Sequence, residues 1–178
     1  MCGIVGYVGA WNAAPVLLSG LSRLEYRGYD SAGIAVSDLR DGENRIEILK
    51  AKGRLQALKE MTDNGKAVSG TCGIGHTRWA THGEPSVANA HPHCSKDKRI
   101  VVVHNGIIEN YKELKEYLQK KGFVFLSETD TEVVAHLLDY YYKGNPLEAI
   151  ARALGRIRGS YALGILFKDQ PGKIYAVR

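Results

Sequence analysis

The chain has 178 residues, 44% hydrophobic and 24% charged, with a formal net charge of +5. That mixture excludes a disordered chain, a collagen-like chain and a disulfide-built miniprotein, and it suits one domain large enough to bury its own core. The positive excess is dispersed among acids, as in Lys112-Glu113-Leu114-Lys115-Glu116, and the densest short run is Lys96-Asp97-Lys98-Arg99, so the clustered charge of a nucleic-acid footprint is missing.

Cys2, Cys72 and Cys94 are odd in number and form no C-x-x-C pair, which indicates neither a disulfide framework nor a zinc ribbon. Free thiols suit a reducing compartment. The longest apolar runs, such as residues 100–103, fall far short of the ~20 residues a membrane helix needs. The start of the chain lacks the basic-then-apolar pattern of a secretion signal. The expectation is a cytoplasmic protein with neither membrane nor nucleic acid as partner. His91, His93 and Cys94 lack the spacing of structural zinc pairs and no second ligand cluster follows, so no metal is expected and hydrogen-bonded or solvated side chains are.

In chain order, residues 3–8 are short, apolar and rich in Ile and Val, which predicts a buried strand. Leu17, Leu18, Leu21 and Leu24 recur at helical spacing, and Pro15 fits the first turn of a helix over 13–24. Residues 32–37 and 45–50 read as a strand pair joined through Asp41-Gly42. Leu55, Leu58 and Met61 mark a short helix. Residues 73–76 and 99–104 predict two more buried strands, with a long polar loop, 77–98, between them; a loop of that length in a compact domain is usually functional. Helices follow at 110–121 (Tyr111, Leu114 and Leu118 inward), 131–142 (Val134, Leu137, Leu138 and Tyr141 inward) and 147–157 (Leu147, Ile150, Leu154 and Ile157 inward). Strands are expected at 123–126, 160–167 and 173–177. The chain stops inside an expected strand, which predicts that the natural protein continues.

Four groups of residues carry chemistry. Once Met1 is removed, Cys2 would hold a thiol and a free α-amine on one residue, a nucleophile with its own base, because an α-amine titrates near ~7.7–8.0 and the thiolate is the reactive form. His104-Asn105-Gly106-Ile107 closes a strand; the Asn105 amide and the Gly106 N–H are two donors able to face a developing oxyanion, although Asn-Gly is also a common turn pair. In the string from Gly75 to Pro85, Arg78 offers a planar fork that matches a carboxylate and Trp79 is a large aromatic in a polar loop; a surface Arg on a plain loop is the alternative. Thr129-x-x-Glu132 has the form of a capping box, with Asp130 either a first-turn acid or the partner of a ligand's ammonium group.

The opening Cys2-Gly3-Ile4-Val5-Gly6 resembles the class II glutamine amidotransferases, which are N-terminal-nucleophile hydrolases. Leu24-Glu25-Tyr26-Arg27-Gly28-Tyr29-Asp30-Ser31-Ala32-Gly33, His76-Thr77-Arg78-Trp79-Ala80-Thr81-His82-Gly83, His104-Asn105-Gly106-Ile107-Ile108-Glu109-Asn110 and Ser127-Glu128-Thr129-Asp130-Thr131-Glu132 extend the likeness over the whole chain, toward the members that pass ammonia to fructose 6-phosphate in amino-sugar synthesis. The resemblance implies an α+β fold, a four-layer αββα sandwich of two antiparallel sheets. The whole of 1–178 would be a glutaminase domain short of its C-terminal part and without the sugar-phosphate isomerase domains. It implies L-glutamine as substrate, L-glutamate and ammonia as products, no cofactor, fructose 6-phosphate only through the absent domains, and a homo-oligomer at full length. It implies that Cys2 attacks the amide, that Asn105 and Gly106 hold the oxyanion, and that Arg78, helped by Thr81 and His82, holds the α-carboxylate. Asp130 would take the ammonium group, Trp79 would belong to the loop over the site, and Arg27 would position the Cys2 terminus. The glutaminase of another class II amidotransferase, or a non-catalytic binding module of the same fold, stays open at this point.

Overall fold

The computed structural model describes residues 2–25, 29–79 and 84–178. Among the described residues, eight strands form two antiparallel four-stranded sheets. The first runs β1 (Gly3–Val8), β4 (Cys72–Arg78), β2 (Ser31–Arg40), β3 (Glu43–Lys52); the second runs β5 (His93–Cys94), β6 (Ile100–Ile108), β7 (Gly159–Phe167), β8 (Tyr175–Val177). Helices α1 (Ala13–Leu24) and α2 (Leu55–Met61) cover the first sheet, and α3 (Tyr111–Gln119), α4 (Thr131–Tyr141) and α5 (Pro146–Leu154) cover the second. The four layers and the α+β class are those the resemblance implies.

Strand periodicity builds the layers. On β2, Ala32, Ile34 and Val36 face α1 and α2 while Ala35 faces the other sheet; on β6, Ile100, Val102 and Ile108 face the helices while Val101 and Val103 face the first sheet. Ile74, Val101, Val103 and Leu166 close the seam between the sheets, each at most 1% exposed. Burying one such Ile, Val or Leu contributes ~1.5–3 kcal/mol. Asp41 (φ 51°) and Gly42 (φ 77°) both lie in the left-handed region, as a two-residue turn between Arg40 and Glu43 requires.

Some expectations need correction. Residues 123–126 are extended but pair with no strand among the described residues: Phe123 and Phe125 pack against the α4 side, Val124 and Leu126 are exposed, and the Leu126 and Ser127 N–H groups donate to the Glu132 carboxylate (2.8 and 2.7 Å). Glu132 therefore serves that turn and does not close a capping box with Thr129, whose hydroxyl lies against Ser127 and His93. Leu147 is exposed, because α5 begins at Pro146 behind an Asn145 cap and turns the small residues Ala149 and Ala153, with Ile150, toward the core. Met61 likewise faces out, and Tyr142, just past the end of α4, is the deeply buried tyrosine where Tyr141 is only half-buried.

Part of the long polar loop is buried. Asn89 to His93 crosses the first sheet beneath Gly33, where a Cβ would lie 2.1 Å from the His91 carbonyl oxygen, while the residues on either side, such as Glu84 and Lys96, are exposed. Asn89 donates to Glu128 Oε2 (3.1 Å) and accepts from the Glu128 N–H (2.9 Å), which stitches the crossing to the turn before α4.

Candidate active site

Strand parity gathers the site. Cys2 and Ile4, Ile74, His76 and Arg78, and Val103 and Asn105 each continue the face of their strand that looks across the seam between the sheets. At the open end of that seam the apolar residues give way to chemistry-bearing ones.

Cys2 is half-buried. Its Sγ accepts a hydrogen bond from the Trp79 N–H (3.2 Å) and lies 3.5 Å from the Trp79 carbonyl oxygen. Across the seam, Asn105 Nδ2 donates to the Cys2 carbonyl oxygen (3.0 Å). Three of the four expected groups, through Cys2, Asn105 and Trp79, thus meet by direct contact. Gly106 follows at φ 126° with its missing side chain over β7, where a Cβ would lie 2.0 Å from the Ser160 carbonyl oxygen.

Arg78 is 3% exposed, not a surface charge. Its Nη1 donates to Asp30 Oδ1 (3.3 Å), and the Asp30 N–H donates to the Arg78 carbonyl oxygen (3.1 Å), so Arg78 and Asp30 are tied through both main chain and side chain. The Trp79 side chain is 45% exposed and stands edge-on to Tyr29, ring centroids 6.5 Å apart. Asp130 is the buried N-cap of α4: its Oδ2 accepts the Ile108 N–H (2.8 Å) and its Oδ1 lies 3.4 Å from the Thr131 hydroxyl, which ties it to the strand that carries Asn105 and Gly106. Arg27, Thr81 and His82 lie outside the described residues.

Sequence reasoning assigned no part to the layer beneath. His76 Nε2 lies 2.9 Å from Asn105 Oδ1 and 3.0 Å from the His104 carbonyl oxygen. His91 stacks on His76 (4.1 Å between centroids, 26° between planes), and His93 meets His91 edge-on at 4.8 Å. The Thr131 hydroxyl joins His91 Nε2 and His104 Nδ1, each at 2.9 Å, to Asp130. One proton toward Asp130 and two lone pairs toward the rings match a hydroxyl's capacity. His91 and His93 are buried and bonded to hydroxyls, and among the described residues no group of three or more His, Cys, Asp or Glu is arranged to hold a metal ion. The signal for this layer was parity: His76 sits two residues from Ile74 on the seam-facing side, and His104 two from Val102 on the α4 side.

Burial sets the charge state of these rings. It pulls His76 down to about 4 against the weaker opposing effect of its hydrogen bonds to Asn105 and His104, and it holds His91 and His93 well below the ordinary histidine range. All three are neutral near pH 7, whereas in the unfolded chain they protonate below about 6.5. Between those limits the unfolded state binds more protons, so stability falls as pH falls, by up to ~1.4 kcal/mol per pH unit for each ring. Urea denaturation at pH 7.5, 6 and 5 should show stability level down to about pH 6.5 and dropping steeply below it; equal stability at pH 7.5 and 5 would contradict the neutral stack.

Solved structures share this fold. A glutamine phosphoribosylpyrophosphate amidotransferase from B. subtilis, complexed with ADP and GMP, superposes with a TM-score of 0.79 and 28% identity over 94% of this chain and 35% of that one. An allosteric regulatory enzyme of purine biosynthesis superposes with a TM-score of 0.77 and 30% identity over 94% and 36%. The fold is therefore that of the N-terminal-nucleophile type amidotransferases. Residues 76–178 match the family model described as glutamine amidotransferase domain, and the chain belongs to that family. It is 61% identical over its whole length to the isomerizing glutamine–fructose-6-phosphate aminotransferase of Caldanaerobacter subterraneus subsp. tengcongensis and 56% identical to that of Clostridium tetani. The chain spans 28% of the length of each of these relatives. No helix among the described residues is long and apolar enough to cross a membrane.

Proposed function

We propose that the protein releases ammonia from the side-chain amide of L-glutamine, as the glutaminase part of an isomerizing glutamine–fructose-6-phosphate aminotransferase. The observation that carries the reading is the convergence of Cys2 with Asn105 and the Trp79 N–H at the open end of the seam. Whole-length identity of 56–61% to two such aminotransferases, against 28–30% to the phosphoribosyl and purine enzymes, favours fructose 6-phosphate as the final acceptor.

In this reading the Cys2 α-amine, freed by loss of Met1, takes the thiol proton as Sγ attacks the glutamine δ-carbon. The Asn105 Nδ2–H and the Gly106 N–H receive the charge on the oxygen, the preorganised donor pair that such a step requires. The proton passes to the departing nitrogen, ammonia leaves, and a γ-glutamyl thioester remains. Water then cleaves the thioester, giving L-glutamate and restoring the thiol. Arg78, with Thr81 and His82, binds the α-carboxylate; Asp130 binds the ammonium group; Trp79 and the residues after it cover the substrate; Arg27 positions the terminus. Thiol chemistry of this kind needs no metal or cofactor. We place the glutaminase domain over 1–178, with its remaining C-terminal part and the sugar-phosphate isomerase domains in the longer protein, a cytoplasmic homo-oligomer.

With both ends of the substrate anchored, length is read as well as chemistry. Incubation with glutamine should release glutamate and ammonia in equal amounts, and asparagine, one methylene shorter, should not be turned over. Absence of glutamate release, or equal turnover of asparagine, would contradict the reading.

A further inference from the structure

An asparagine amide presents two ends of nearly the same shape and opposite polarity. Turned one way, Asn105 aims N–H groups at the site; turned the other way, it aims a carbonyl oxygen that would repel an oxyanion. The orientation needs a selector. The Cys2 carbonyl oxygen can only accept, so the Asn105 end facing it at 3.0 Å is Nδ2. The end facing His76 is then Oδ1, and the ring nitrogen 2.9 Å from it must donate. The His104 carbonyl oxygen, 3.0 Å from the same ring nitrogen, also only accepts. His76 therefore carries its proton on Nε2, and Nδ1, buried with no hydrogen-bond partner, is the bare nitrogen.

His76 continues a face whose preceding residues, Cys72 and Ile74, are apolar, and it is 1% exposed. A buried imidazole there costs free energy unless its N–H is used. It is used entirely on the strand that carries Asn105. The ring plane is fixed by His91 stacked 4.1 Å away, and His91 is held in turn by the Thr131 hydroxyl.

We propose that His76 is a positioning residue for the reaction: its Nε2–H holds the Asn105 amide with Nδ2 toward the oxyanion, and His91 holds the ring that does so. His76 touches neither substrate nor the reacting atoms. The inference deepens the glutaminase reading and rests on it.

The test is a double-mutant cycle in the full-length protein. His76→Phe keeps a ring against His91 and removes the donor. It should lower kcat for glutamine hydrolysis by about 10- to 100-fold, the scale of a misplaced reacting group, while the KM for glutamine stays within about threefold. His76→Gln, whose amide nitrogen reaches the same place, should restore most of the rate. Combined with Asn105→Ala, His76→Phe should add almost nothing, because both act through one amide. Parental kcat in His76→Phe, or losses that multiply in the double variant, would overturn the proposal. Nitrogen-15 NMR of the unsubstituted protein needs no variant to fold: the His76 proton is expected on Nε2, and a proton on Nδ1 would overturn the proposal by itself. If the unsubstituted protein releases no glutamate, the glutaminase reading fails; if it does and His76→Phe matches it, only the positioning role fails.

Discussion

Replacing Cys2 by alanine is expected to lower glutamine hydrolysis by at least about 1,000-fold, the cost of removing a nucleophile and with it the covalent path. The fold should survive, since Cys2 is half-buried and, among the described residues, its sulfur hydrogen-bonds the Trp79 backbone alone. Glutamine affinity should survive as well, because Arg78 and Asp130 are held by Asp30, Ile108 and Thr131, independently of the thiol. Calorimetry with glutamine and a turnover assay on the same preparation separate the two effects. Full turnover in Cys2→Ala would remove the sulfur from the mechanism; lost binding would mean that the residue is structural.

The second large effect is expected at Gly106. Alanine there meets two penalties at once: φ 126° is a region that L side chains rarely adopt, and its Cβ would stand 2.0 Å from the Ser160 carbonyl oxygen on the paired strand. The β6–β7 ladder must part locally, which would swing the Gly106 N–H away from the oxyanion. We expect a stability loss of ~2–4 kcal/mol and a fall in kcat of about 100-fold or more. Gly159→Ala is the matched control. Gly159 has φ 127° and a Cβ position 2.1 Å from the Ile107 carbonyl oxygen, on the same ladder, but it is not one of the proposed donors. Gly159→Ala should unfold at a similarly low denaturant concentration yet keep more of its turnover than Gly106→Ala when both are assayed folded. Equal turnover in the two variants would mean that Gly106 serves the ladder alone.

How far the sequence reached depends on which force decided each element. Where hydrophobic period and turn chemistry act alone, as in α1, the β2–β3 hairpin with Asp41-Gly42 and the apolar run of β6, the reading and the structure agree. Residues 123–126 alternate inward Phe with outward Val and Leu like a strand. What periodicity cannot report is that Glu132, six residues beyond Leu126, takes the backbone N–H groups in place of a neighbouring strand. That choice comes from tertiary satisfaction of a buried carboxylate. Burial alone would raise its proton affinity, yet His136 Nε2 3.5 Å away and hydrogen bonds from Ser127 and Leu126 hold it at about 2. Spacing alone points Leu147 inward, but the Asn145 cap and Pro146 fix where α5 starts and so which side faces α4.

The candidate site was legible to the extent that its residues sit in distinctive local strings. Cys2, Asn105, Gly106, Arg78 and Asp130 could be named because a terminal thiol, an Asn-Gly at a strand end, an Arg in a polar loop and an acid at a helix start each carry a stated chemistry. His76, His91 and Thr131 could not, because their meaning is relational: a histidine becomes a positioning group only when the opposite sheet delivers an asparagine to it. Counting parity along β4 and β6 together would have put His76 and Asn105 on facing sides of one seam. Asp30 belongs to the same class, since its pairing with Arg78 depends on β2 and β4 being neighbours.

Whether Cys2 is the nucleophile of a glutamine site is read from an intact-mass spectrum of the protein before and after incubation with a glutamine-mimicking diazo ketone. Burial raises Cys72 to about 11 and pushes Cys94 upward as well, so neither thiol should compete for the label. The expected result is a chain lacking Met1 that gains one adduct, mapped to Cys2 and suppressed by excess glutamine. An adduct on Cys72 or Cys94, or glutamine turnover that persists with Cys2 unlabelled, would contradict it.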